Sequence, residues 1–177
     1  MEYKLKNGKS VIIRPPVIED AAAIINLISS ADAETKYLAR NPGEFCITEE
    51  QEKTFIADIL KGNDEEWLVA VCDENVVGHC SVRLVSRYER YRHRAEVTFV
   101  VLKAYCGIGI GGRLMQESII WCKYKNIKQI ELKVVSDNLP AINMYEKFGF
   151  KSVGLIPNAI RYINGTFADE KIMILEL

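Results

Sequence analysis

Val97-Thr98-Phe99-Val100-Val101-Leu102-Lys103-Ala104-Tyr105-Cys106-Gly107-Ile108-Gly109-Ile110-Gly111-Gly112-Arg113-Leu114-Met115 is a β-branched and aromatic run that feeds a glycine cluster, and the cluster opens a segment of helical periodicity. Glycine has no Cβ, so the chain can turn sharply here and bring its backbone close to a ligand. The first N–H groups of the helix that follows have no partner inside it, and they point outward at the positive end of the helix dipole. A strand, a glycine turn and a helix start in this order favour a pyrophosphate group.

Downstream, Ile110, Leu114 and Trp121, with Met115, Ile119 and Cys122, give that helix one apolar face to lay on a sheet. Residues 130–135 read as the next strand. Pro140 fits a first helical turn, which needs no N–H, and Gly149 fits the residue just past the helix end. Residues 150–156 and 171–177 read as two last strands joined by a segment containing Asn164-Gly165.

Upstream, residues 3–5 and 11–13 flank Asn7-Gly8, which predicts a hairpin with a type I′ turn because both residues tolerate positive φ. Pro15-Pro16 ends the second strand. Residues 19–30 predict a first helix, and Thr48-Glu49-Glu50-Gln51 is a capping box for a second, running to about Leu60 and ending near Gly62. Residues 67–72 and 76–85 are β-rich runs around Asp73-Glu74-Asn75, and residues 95–101 are a third. A single β-α-β crossover therefore sits among antiparallel hairpins. The class is α+β with a mixed, mostly antiparallel central sheet, and not a doubly wound fold.

The chain has 177 residues, 49% of them hydrophobic, enough for one core, so residues 1–177 are read as a single domain. A net charge of −1 argues against nucleic acid as the main partner. The Arg83 to Arg94 stretch interleaves arginine with tyrosine, which single-stranded nucleic acid favours, but a solvated hairpin explains one short basic run. Cys46, Cys72, Cys80, Cys106 and Cys122 form no C-x-x-C pair and read as reduced, mostly buried thiols. His79 and His93 have no partners at metal-ligand spacing, so no metal is expected. No apolar run is long enough for a membrane span, and the start has no leader pattern, so a cytoplasmic location is expected.

Gly107-Ile108-Gly109-Ile110-Gly111-Gly112 matches G-x-G-x-x-G in form. A nicotinamide-dinucleotide-binding oxidoreductase would also need an acid closing the next strand for the ribose, and Glu131 instead opens that strand. A second reading rests on more residues. Cys106-Gly107-Ile108-Gly109-Ile110-Gly111 resembles the Q/R-x-x-G-x-G/A motif of the GNAT family of N-acetyltransferases, and Asn138-Leu139-Pro140-Ala141-Ile142-Asn143-Met144-Tyr145-Glu146-Lys147-Phe148-Gly149-Phe150 resembles the N-x-x-A-x-x-x-Y-x-x-x-G-F motif of that family. The close resemblance covers residues 96–150 and departs at Cys106, where the family has Arg or Gln, which leaves the pyrophosphate mostly to backbone amides.

The resemblance implies acetyl-CoA as donor and an amine, on a small molecule or a peptide, as acceptor. It implies a cleft where the fourth and fifth strands of the family's sheet splay apart. The backbone of Phe99, Val100 and Val101 would pair with the pantetheine arm there, and the amides of Gly107, Ile108, Gly109, Ile110, Gly111 and Gly112 would hold the pyrophosphate. Tyr145 matches the tyrosine that protonates the departing thiolate, although it also has the spacing of a core aromatic. Asn138 would contact the CoA arm or simply cap a helix. Glu96 is the leading candidate base, with pairing to Arg94 or His93 as its structural alternative. Lys133 stands where the ribosomal-protein branch of the family has a glutamate.

Acceptor walls are expected from residues 29–48 and 157–169. The acid-rich segment 31–66 would then attract a cationic amine, unless its charges are only a solvated helix face. A non-catalytic acyl-CoA-binding module is the remaining alternative. Homodimer formation is left open by last strands that often pair in the family.

Overall fold

The computed structural model describes residues 1–62 and 64–177. Eight strands make one sheet in the order β1-β2-β3-β4-β5-β6-β8-β7: β1 (Glu2–Lys4), β2 (Ser10–Arg14), β3 (Glu65–Cys72), β4 (Asn75–Leu84), β5 (Arg94–Val101), β6 (Gln129–Val135), β7 (Lys151–Arg161) and β8 (Phe167–Glu176). Among the described residues only β5 and β6 run parallel, joined across α3 (Ile110–Tyr124). Helices α1 (Ala21–Glu34) and α2 (Glu49–Lys61) bury Ile24 and Ile56 with Val69 on one face. On the other face α3 and α4 (Leu139–Lys147) send Ile110, Leu114, Met115, Ile142 and Tyr145 into the main core. Each fully buried aliphatic side chain there contributes about 1.5–3 kcal/mol.

Local sequence chemistry sets most boundaries. Thr48 caps α2 by accepting from the Gln51 amide, while Gln51 returns a side-chain bond to the Thr48 amide, the capping box in full. Helix α1 runs on to Glu34, beyond the expected Ser30, because Ala31 is buried and Asp32 is held by Arg40 at 2.8 Å. The first hairpin departs from expectation. Gly8 alone has positive φ, +84°, and its N–H bonds to Leu5 O while Leu5 N–H bonds to Lys9 O. This is a three-residue loop with glycine in the left-handed position, the alternative to a type I′ turn.

The last hairpin is longer than its sequence suggests. Segment 157–169 is not a loop, because β7 passes through Pro157 and turns tightly at residues 162–166. The register shifts between Ile156 and Ile160, and such an irregularity lets proline sit in a strand without breaking a ladder bond.

The feature that makes a site is between β5 and β6. Their parallel pairing covers only Arg94–Gln129, Ala95–Ile130 and Glu96–Glu131, after which the strands part. The N-terminal hairpin places this splay between the fifth and sixth strands of this chain. Beyond it, β6 turns to pair with β8 along its whole length.

Candidate active site

The glycine turn lies at the mouth of the splay. Gly107 and Gly109 have φ of +79° and +112°, backbone that side chains with a Cβ rarely adopt, and Gly109 caps α3. The first helical bond runs from Arg113 N–H to Gly109 O at 3.1 Å, so the amides of residues 109–112 precede it and face out of the helix end. Lys6 N–H bonds to Ile108 O at 3.1 Å and ties the first hairpin to this turn.

A single cleft of about 1540 Å³ joins the turn to the splayed strands. Glu96, Phe99, Val100, Val101, Gly107, Gly109, Gly111, Gly112, Asn138 and Tyr145 all line it. Ile108 and Ile110 do not. The Ile108 side chain packs against the main core and Ile110 is 1% exposed within it, so these two residues can offer a ligand only their amides.

Strand geometry also divides the expected backbone partners. Leu102 N–H bonds to Val77 O and Val85 N–H to Arg94 O, so the even-numbered residues of β5 exchange their hydrogen bonds with β4. Val100, opposite His79, is thereby occupied. Phe99 and Val101 point their N–H and C=O groups the other way, into the gap that β6 has left. Two of the three expected residues turn backbone groups to the cleft, although the Val101 carbonyl also accepts from the Cys106 thiol at 3.7 Å, and Val100 contributes only its side chain.

Side chains alternate likewise. Phe99 lies on the α3 and α4 face, where its ring centroid is 6.2 Å from that of Tyr145, which in turn stands 5.8 Å from Phe150. Tyr145 is 8% exposed, and burial raises its pKa above the ordinary phenol value, so it stays protonated at neutral pH. It is both core aromatic and cleft residue. Glu96 lies on the opposite face and pairs with Arg83 across the β4–β5 ladder, Nη2 to Oε2 at 3.0 Å. Arg94, one of the two alternative partners expected for it, is engaged by Glu131 instead. That ion pair also leaves Glu131 unsuited to hold a ribose, against the dinucleotide reading.

Asn138 caps α4, its Oδ1 accepting from Ala141 N–H at 3.4 Å, and still lines the cleft. Segment 31–66 does not form an acidic wall. Asp32 pairs with Arg40, Glu49 and Glu50 with Lys53, and Asp64 with Arg92, and only Glu34 and Glu52 of its acids reach the cleft.

Several site residues escape a linear reading. Lys6, Lys103 and Lys147 line the cleft, and Lys4, Lys6 and Arg113 line a pocket of about 280 Å³ beside Gly109. Cations of this kind suit phosphate groups. Lys6 comes from a hairpin about a hundred residues away, so no local motif marks it. His79, Glu52 and Trp67 also line the cleft. Among the described residues no cluster of His, Cys, Asp or Glu is arranged to hold a metal, and no helix is long and apolar enough to cross a membrane. All five cysteines are free thiols, with Cys72, Cys80 and Cys122 buried.

Comparison with known proteins agrees with this geometry. The family model described as Acetyltransferase (GNAT) family matches residues 31–150. An L-amino acid N-acetyltransferase of Escherichia coli is 38% identical over 88 residues, 49% of this chain and 54% of its own length. An N-alpha-acetyltransferase of Sulfurisphaera tokodaii is 28% identical over 165 residues, covering 88% of this chain and 90% of the relative. This chain thus spans about half of the first relative and nine-tenths of the second. A GNAT acetyltransferase structure from Streptococcus pneumoniae superposes with a TM-score of 0.89 at 23% identity, over 94% of this chain and 99% of that one. A phosphinothricin acetyltransferase of Sinorhizobium meliloti, solved in complex with acetyl-CoA, gives 0.81 at 20% identity over 94% and 88%. With the motifs, the splayed sheet and the family model in agreement over most of its length, the chain belongs to the GNAT family of acetyltransferases.

Proposed function

We propose that this chain transfers the acetyl group of acetyl-CoA to a primary amine of a small molecule or peptide. The observation that carries this reading is the gap between β5 and β6, where the outward-turned backbone groups of Phe99 and Val101 lie in one cleft with an open helix end and a buried phenol. An extended pantetheine amide chain can add to that strand as a peptide strand adds to a sheet edge. The amides of residues 107–112, with Lys6 and Arg113, then hold the pyrophosphate.

In the transfer the amine nitrogen attacks the thioester carbonyl, the C–N bond forms and the C–S bond breaks. Glu96 takes the proton lost by the amine, directly or through water, and Tyr145 gives its phenolic proton to the departing thiolate. The names of the relatives, acting on L-amino acids and on N-alpha amines, support an amine acceptor. A cationic amine is favoured by Glu52, whose Oε1 has no hydrogen-bond partner among the described residues of the cleft wall.

Thermal unfolding tests the donor. Acetyl-CoA should raise the Tm, since it binds only the native state, while NADH should leave it unchanged. Stabilisation by NADH alone overturns the proposal. Release of the CoA thiol over a panel of amines then identifies the acceptor.

A further inference from the structure

The end of the cleft beneath α1 and α2 holds two buried polar atoms with nothing to bond. Glu52 on α2 is 2% exposed and His79 on β4 is 8% exposed. Among the described residues Glu52 Oε1 and His79 Nε2 have no hydrogen-bond partner, and both side chains line the cleft. Buried polar groups in folded proteins are nearly always bonded, and a buried carboxylate without a counter-charge is strongly unfavourable.

The nearby cations do not relieve it. Arg40 is committed to Asp32 at 2.8 Å, and Lys36 to Asp137 at 2.6 Å. The surrounding wall is apolar and aromatic, with Ile28, Phe55 and Trp67. Trp67 meets the His79 ring edge-on, centroids 4.9 Å apart at 79°. Burial holds the His79 pKa down to about 4, so its ring is neutral and does not repel a positive charge. It offers an acceptor nitrogen instead. A carboxylate, a neutral imidazole and aromatic faces together suit an ammonium or guanidinium group.

We propose that this end of the cleft is a cation subsite, in which Glu52 and His79 receive a second ammonium of the acceptor while its first amine is acetylated. The preferred acceptors are then diamines with an apolar middle, whose methylenes lie along Ile28, Phe55 and Trp67. This rests on the acetyl-transfer reading of the same cleft. It names Glu52 as the residue that sets acceptor specificity, without a part in the chemistry itself.

The test compares hexamethylenediamine with hexylamine as acceptors, following CoA thiol release and product mass. The wild type should favour the diamine in kcat/KM by about tenfold or more, the scale of one charge-assisted hydrogen bond. In Glu52→Gln that preference should collapse towards unity, with the KM for acetyl-CoA unchanged. Because the substitution removes an unpaired buried charge, its Tm should equal or exceed that of the wild type. Equal use of the two amines by the wild type overturns the subsite, as does a preference that survives in Glu52→Gln. Binding of acetyl-CoA with acetylation of neither amine overturns the diamine assignment alone. Failure of acetyl-CoA to raise the Tm overturns the underlying reading of the cleft.

Discussion

Arg83 on β4 holds Glu96 on β5 through two contacts to one carboxylate oxygen, Nη2 at 3.0 Å and Nε at 3.3 Å. The pair sits at the level where β5 and β6 part, so Glu96 both braces the ladder and faces the cleft.

Glu96→Gln separates those roles. If the carboxylate accepts the amine proton, kcat falls by about 10²-fold or more and the acidic limb of the pH–rate profile disappears. Arg83→Gln removes the brace alone. Matching small Tm losses in both variants with an unchanged pH–rate profile would leave Glu96 as the partner of Arg83 and nothing more.

Tyr145→Phe keeps the ring packed between Phe99 and Phe150 and deletes only the hydroxyl. Acetyl-CoA affinity and Tm should hold while kcat drops by about 10²-fold, because the lost interaction belongs to the transition state. Steady-state kinetics with isothermal titration of acetyl-CoA measures both. An unchanged kcat would make Tyr145 a packing residue.

Gly111→Asp places a charge where the pyrophosphate is proposed to lie. A Cβ at this position meets Met144 Sδ at 3.1 Å, and that flexible thioether can shift aside. Aspartate in a first helical turn also suits the dipole, so the Tm should change little. Acetyl-CoA affinity should fall by about a hundredfold or more through charge repulsion and lost amide access. Calorimetry showing unchanged affinity in the folded variant would contradict the placement.

Stability against pH should show two opposed terms. Burial raises the Glu66 pKa from 4.5 to about 7, with the nearby Glu117 adding to the effect. The folded state therefore binds more protons between those values, and this term is lost as pH rises from 4.5 to 7. Burial lowers the His79 pKa from 6.5 to about 4, so its term is present above pH 6.5 and lost as pH falls towards 4. Each contributes at most about 1.4 kcal/mol per pH unit. Urea titrations should show Glu66→Gln gaining on the wild type as pH rises from 4.5 to 7. His79→Gln should gain as pH falls from 6.5 to 4. Parallel curves for wild type and variants would refute the assignment.

Local chemistry carries most of the elements and several residues that line the cleft. Hydrogen bonds within four residues are written in residue type, so the Thr48 cap, the Gly109 turn, the Asn138 cap and the apolar face of α3 follow from the sequence alone. The two motifs likewise mark the glycine turn and Tyr145, which the fold places along one cleft.

Only the tertiary structure decided which groups meet across long separations. The alternation of the β4–β5 ladder turns Phe99 and Val101 towards the gap and Val100 away from it, a matter of register that composition cannot express. It likewise gave Glu96 to Arg83 and Glu131 to Arg94, although Arg94 is nearer to Glu96 in sequence, because pairing in a sheet follows the facing strand. Lys6 reaches the glycine turn from the first hairpin, and Glu52 and His79 line one cleft from α2 and β4. Burial is a property of the assembled layers, so the unpaired state of those two groups has no signature in the chain.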